Sequence, residues 1–257
     1  KEGVRVTANA FRTGRAPTTE ELYADGPHLA TQSYDIGNEN LDLETALGLE
    51  LGLHLGGAER HFSVNGFYTD FDGFIYQAFT GQTGADILLG LGETDEEELE
   101  EFGELDVLRY TGADAVFKGF EIEGRSPLGQ AGGFSFSGNF NIDYVDADFS
   151  DVPGNDEIPR IPPLGVVAGI EAEHRMGSFR AEIDYAAEAD DVTIDELPTD
   201  SYPLFNLYAD FPIREGINFS VAALNVTDEE ARLHTSFLKE EVPLPGRNLR
   251  FSLRIDY

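Results

Sequence analysis

Two histidines in separate polar stretches are the residues of this chain best suited to hold a ligand. His28 stands in the run Asp25-Gly26-Pro27-His28, beside Tyr23 and Glu21. An imidazole among carboxylates is a donor set that zinc or copper accepts. His234 lies in a second long polar stretch, 227–247, which a closed structure could bring toward the first. The candidate ligand-binding residues are therefore Tyr23, Asp25, His28 and His234, and the candidate metal ligands are Asp25, His28 and His234. A structural role competes with this one, because Gly26-Pro27 makes a turn that His28 could cap or pack. His54, His61 and His174 flank short links between apolar segments, where packing is the expected role. No resident cofactor is expected, and a metal held here would be a bound ligand, not part of the fold.

A third feature is Glu93–Asp106, ETDEEELEEFGELD, with nine carboxylates and no basic residue. Such a run can concentrate cations or hold divalent ions that bridge it to lipopolysaccharide. The reading favoured here is a solvated, partly helical loop whose charge resists aggregation. Charge is lopsided over the whole chain, with 17 Lys and Arg against 49 Asp and Glu, a formal net charge of −32. Nucleic acid, which needs a basic surface, is excluded as a partner. With no cysteine, disulfides and thiolate metal sites are excluded too. No G-x-S-x-G or H-E-x-x-H spacing occurs, so nothing nominates a catalytic centre and no enzyme is expected.

The elements that must position these residues are strands. In Leu41–Gly56 the odd positions are Leu, Leu, Thr, Leu, Leu, Leu, Leu, Leu, and the even ones are small, acidic or polar. Only a period of two sorts residues this way. A strand this long, greasy on one face and wet on the other, suits the wall of a transmembrane barrel. Alternation recurs at Val4–Phe11, His61–Gln77, Val107–Ser126, Phe134–Tyr144, Leu164–Arg175, Phe179–Glu188, Tyr202–Phe211, Ile217–Val226 and Asn248–Tyr257, which makes ten strands. Four short and five long connections alternate along the chain. Outer-membrane barrels have that asymmetry, with short periplasmic turns and long extracellular loops. The final strand alternates Leu249, Phe251, Leu253, Ile255 and Tyr257 against polar residues and ends on an aromatic. Acidic residues on the polar face, such as Glu50, Glu121, Glu171 and Glu182, are expected to pair in part with Arg125 and Arg180. A soluble acidic β protein and a passive pore closed from these strands are the competing architectures.

Three segments together resemble the TonB-dependent outer-membrane receptors. Phe11–Leu41, FRTGRAPTTEELYADGPHLATQSYDIGNENL, is similar to the family's R-x-P-[ST]-x-x-E-L-Y … G-N-x-x-L segment. ALNVTD, ending at Asp228, is similar to its N-L-[TF]-D signature, and Pro245–Tyr257 to its P-G-R-containing last strand. The resemblance implies an all-β, antiparallel up-and-down barrel in the bacterial outer membrane, of about 22 strands and closed by an N-terminal plug. It implies uptake of a scarce nutrient, whether metal ion, metal chelate or siderophore, with energy relayed by the TonB complex through the plug. Outer-membrane lipid and lipopolysaccharide are the implied surroundings. Residues 1–257 then correspond to the C-terminal ten strands, an incomplete barrel without plug or TonB box. GPHLAT and LHTSFLK are further similar to the branch containing zinc-uptake receptors.

Overall fold

The computed structural model describes residues 3–29, 31–92, 96–152, 157–194 and 196–256. Tyr257, Glu93 and Asp95, singled out above, lie outside the described residues. Ten long strands form one antiparallel sheet in chain order: β1 (Gly3–Arg15), β4 (Glu44–Gly56), β5 (His61–Thr83), β6 (Asp106–Ala131), β7 (Phe134–Phe149), β8 (Gly165–His174), β9 (Gly177–Ala186), β10 (Tyr202–Arg214), β11 (Ile217–Leu224) and β12 (Asn248–Ile255). The sheet runs from β1 to β12 without closing on itself. The expected alternation of four short and five long connections is present, and all five long ones leave from the same end of the sheet.

Two short strands that alternation did not reveal, β2 (Asp25–His28) and β3 (Ser33–Ile36), form a hairpin inside the first long connection. At four residues each they are too short to show a period. β3 then pairs in parallel with the start of β6, Ser33 to Asp106 through Ile36 to Arg109. The described part of the sheet system is thus twelve-stranded, not ten-stranded.

Register carries the two-faced pattern from strand to strand. Val4, Leu55, Phe62, Gly124, Phe140, Ala168, Ile183 and Phe205 form one continuous cross-strand row. Two residues along, Val6, Leu53, Val64, Ile122, Ile142, Val166 and Tyr185 form the next. These rows are part of an apolar band whose side chains are half-buried to exposed, with Val6 at 73% and Leu53 at 37%; Leu51 at 55% and Phe251 at 67% belong to the same face. The opposite face is polar, and there the expected ion pairing occurs in part. Arg125 meets Glu171 at 2.7 Å, and Arg180 meets Glu182 at 3.4 Å while lying 4.1 Å over the Tyr208 ring. Glycines in this wall accommodate rings from the neighbouring strand. A Cβ on Gly48 would overlap the Phe11 ring, and one on Gly119 would come within 2.7 Å of Phe67.

β5 and β6 are the longest strands, 23 and 26 residues, and rise past the band as a hairpin. A bulge at Gly73, where φ is +68°, marks the change of register. Above it the conventional core appears. Ala113, Ala115, Ala147, Phe149 and Ile158 form one buried cluster. Tyr34, Leu88 and Val107 form a second, roofed by α2 (Gly84–Gly90) and α3 (Glu96–Phe102). α3 belongs to the acidic run: its Leu99 and Phe102 pack on the cluster while Glu96, Glu100 and Glu101 are exposed.

The last long loop is closed by the two motifs that flank it. Asn225, with φ +47°, donates to the carbonyls of Glu229 and Pro245 and accepts from the Glu229 amide at 2.8 Å. The Asp228 carboxylate accepts from the Arg247 amide, also at 2.8 Å.

Candidate functional site

The site is built on the first long connection. α1 (Thr19–Tyr23) opens with a capping box, in which the Thr18 hydroxyl accepts from the Glu21 amide and the Glu21 carboxylate accepts from the Thr18 amide. This spacing satisfies two of the backbone donors that every helix start leaves unpaired. The chain then turns into β2, with His28 at its end, and returns through β3.

β3 is the buried side of the hairpin. Ser33, Tyr34 and Asp35 are each 5% exposed or less. A buried carboxylate needs donors, and Asp35 has them. Ser33 Oγ donates to Asp35 Oδ1 at 2.6 Å, and Ser33 in turn lies 2.6 Å from Thr31 Oγ1. The Thr31 hydroxyl also meets His28 Nδ1 at 3.0 Å, and that nitrogen lies 3.4 Å from Asp35 Oδ2. Glu20 completes the group: ligand atoms of Glu20, His28 and Asp35 all fall within 4.8 Å of one another. Tyr110 on β6 faces this group, and burial together with the charges of Glu20, Asp35 and Glu21 pushes its phenol up to about 12. The arrangement offers one imidazole nitrogen and two carboxylates to a cation, with two of the three residues open to solvent. That leaves coordination positions for water or a carrier molecule, as in zinc sites that exchange ligands.

Of the residues singled out from sequence, His28 lies in this group. Tyr23 ends α1 and is 60% exposed. Asp25 is exposed at the start of β2, opposite Ile36. Neither Asp25 nor His234 belongs to the group around His28. His234 is instead buried, at 4% exposure, in a network joining the last two long loops. Its Nε2 lies 3.4 Å from Glu196 Oε1, its Nδ1 2.9 Å from Thr199 Oγ1, and Lys239 Nζ reaches the same Glu196 oxygen at 2.7 Å. Burial, then Lys239, holds His234 below its ordinary value against the pull of Glu196. Residues of the first and last long loops line one cavity, although the sheet is not closed. Thr31 and Ser33 share a cavity of about 250 Å³ with Phe237 and Lys239. A larger groove of about 1060 Å³ runs along the sheet, lined by band residues such as Leu55, Phe62 and Ile170, and holds no such donor group among the described residues.

Sequence reasoning missed Glu20 and Asp35. For Glu20 a signal existed: Thr18-x-x-Glu21 is a capping box, which commits Glu21 to the helix start and leaves its neighbour available. For Asp35 there was none, since its burial depends on β6, far away in sequence.

The family described as TonB dependent receptor-like, beta-barrel matches residues 1–227. Among solved structures, the copper transporter OprC superposes with a TM-score of 0.79 at 17% identity, covering 99% of this chain and 37% of that one. A mutant of the ferric enterobactin receptor PfeA from Pseudomonas aeruginosa, in complex with enterobactin, gives 0.64 at 16% identity, covering 98% and 38%. The siderophore receptor PirA from Acinetobacter baumannii gives 0.64 at 14% identity, covering 99% and 39%. The chain thus spans less than two fifths of the length of these receptors, and at such identities the likeness is one of fold.

Proposed function

The chain belongs to the TonB-dependent receptor β-barrel family, and we propose on that premise that it serves nutrient uptake across the bacterial outer membrane by capturing a metal ion at its outer loops. The observation that carries this reading is the group Glu20, His28 and Asp35, with ligand atoms within 4.8 Å of one another. The group sits on the first long connection, and long connections face outward in barrels of this kind. Mixed imidazole and carboxylate donors suit zinc or copper, free or in a small complex. The wall of ten strands carries the loops, and the barrel interior provides the passage. Energy for that passage comes, in this proposal, from the TonB complex. The family is one of receptors and transporters, not of enzymes. Asp25 and Tyr23 are held to the margin of the site, where they add charge and contact surface to the incoming ligand.

The test is calorimetry on the full-length receptor in detergent with zinc, copper and a panel of ferric siderophores. Saturable zinc or copper binding, weakened about 10–100-fold by His28→Ala or Asp35→Asn, is the expected result. His234→Ala is expected to leave the metal affinity within about twofold of the parent, because that imidazole is committed to Glu196 and Thr199. Binding of a ferric siderophore alone, indifferent to His28 and Asp35, would overturn the metal reading.

A further inference from the structure

Arg15 ends β1 and holds two carboxylates at once. Its Nη1 donates to both oxygens of Glu21, each at 2.9 Å. Its Nε and Nη2 donate to the two oxygens of Glu44, at 3.0 and 2.9 Å. Glu44 opens β4, is nearly buried, and its Oε2 also accepts from the backbone N–H of Ile75 on β5 at 2.9 Å. One guanidinium therefore ties α1 to three adjacent strands, using the planar fork that makes arginine suited to bridging carboxylates.

The fastening matters because α1 is short and has no buried face of its own to hold it. It is five residues long and buries none of them fully. A helix of that length has no stability of its own in water. Backbone contacts hold its far end, where Gly37 donates to the Ala24 carbonyl at 2.6 Å and Asn38 to that of Glu21 at 2.9 Å. Those contacts hold the backbone of the helix, while the Arg15 clamp holds the Glu21 side chain to one side of it. Successive residues on a helix project about 100° apart. With Glu21 drawn to Arg15, Glu20 must point about a quarter-turn away, to the side where His28, Asp35 and Tyr110 lie.

We propose that Arg15 is a positioning residue for the ligand group: by pinning Glu21 it aims Glu20 at His28 and Asp35, without itself touching the ligand. This rests on the reading that Glu20, His28 and Asp35 hold a metal ion. The role is separable from simple charge. Removing a cation near a metal site, taken alone, tightens metal binding, whereas losing the aim of one ligand loosens it.

The experiment titrates the full-length receptor with zinc and with copper for Arg15→Ala, Glu21→Gln, the double variant and Arg15→Lys, recording the unfolding midpoint of each. Arg15→Ala and Glu21→Gln are each expected to weaken metal binding about tenfold. The double variant is expected to be no weaker than either single one, since both remove the same clamp. Arg15→Lys, which keeps the charge and one contact, is expected to recover part of the loss. Unchanged or tighter binding in Arg15→Ala, with His28→Ala still weakening it about 10–100-fold, overturns this inference alone. Additive losses in the double variant overturn it as well, because they would place Arg15 and Glu21 in separate roles. A parent receptor that binds neither zinc nor copper overturns the metal reading and this one together.

Discussion

At position 48 the residue must be glycine because a ring from the neighbouring strand occupies the space of its side chain. Gly48→Val is expected to displace Phe11 and cost about 1–3 kcal/mol, read as a lower urea midpoint of the refolded barrel in lipid. Gly66→Ala, where the closest atom to a new Cβ is a backbone oxygen 3.8 Å away, is the control expected to be tolerated. The alternation around Gly48 was plain in the sequence, yet its need for glycine was not. Phe11 becomes its neighbour only once β1 and β4 pair across the whole first connection. The same distance hid one of the three residues of the candidate site. His28 could be picked out by chemical type, and Glu20 by the adjacent helix cap. Asp35 could not, since an aspartate in SYDI has no mark of burial until β3 docks on β6. His234 was picked out by type as well, and the structure gives it buried partners, Glu196 and Thr199, from the preceding long loop.

That network belongs to the scale of elements, because it joins the loops 187–201 and 225–247. His234 accommodates neutral imidazole best. A proton on Nε2 can be donated to Glu196, leaving Nδ1 to accept from Thr199 or from Lys239, whose ammonium lies 3.4 Å away. A second proton on Nδ1 would face that ammonium. Burial first and Lys239 next hold His234 below its ordinary value, with Arg160 adding to them and Glu196 opposing. The unfolded loops take up a proton near about pH 6.5, and the folded network resists it. Its contribution to stability is therefore complete above about pH 6.5 and falls as the pH drops through the window below that value. Amide exchange in 227–247, corrected for intrinsic rates, is expected to accelerate on acidification from about pH 7.5 to about pH 5.5. His234→Gln should flatten that dependence; a parallel acceleration in the variant would assign the effect to other groups. The loops themselves were legible as loops, from Pro, Gly and acidic runs. Their internal fastening was not, because it is made by single residues with no repeating pattern.

On the scale of the whole molecule, the legible feature was the two-faced wall. Ten strands were expected and ten long ones are present, most with ends within a few residues of those read from alternation. β5 and β6 ran further than expected, since above the band they pack on helices and loops and lose the strict period. Leu51 sits near the middle of the band, between Ala8 and Gly66. Leu51→Arg is expected to cost about 2–4 kcal/mol in a bilayer, whereas Glu50→Gln on the opposite face should cost little. Heat-dependent electrophoretic mobility after refolding into vesicles distinguishes the two, and equal folding of both would argue against a lipid-facing band. The parallel seam between β3 and β6 has a further consequence, for time rather than energy. It stitches the hairpin that bears His28 and Asp35 to the stalk rising from the wall, so the donor atoms are already gathered before a metal arrives. Loading such a site waits on diffusion and on the metal shedding its water. In the proposed metal reading it does not wait on a loop finding its shape, and scarcity of the metal outside the cell, not hesitation of the receptor, would set the pace of capture.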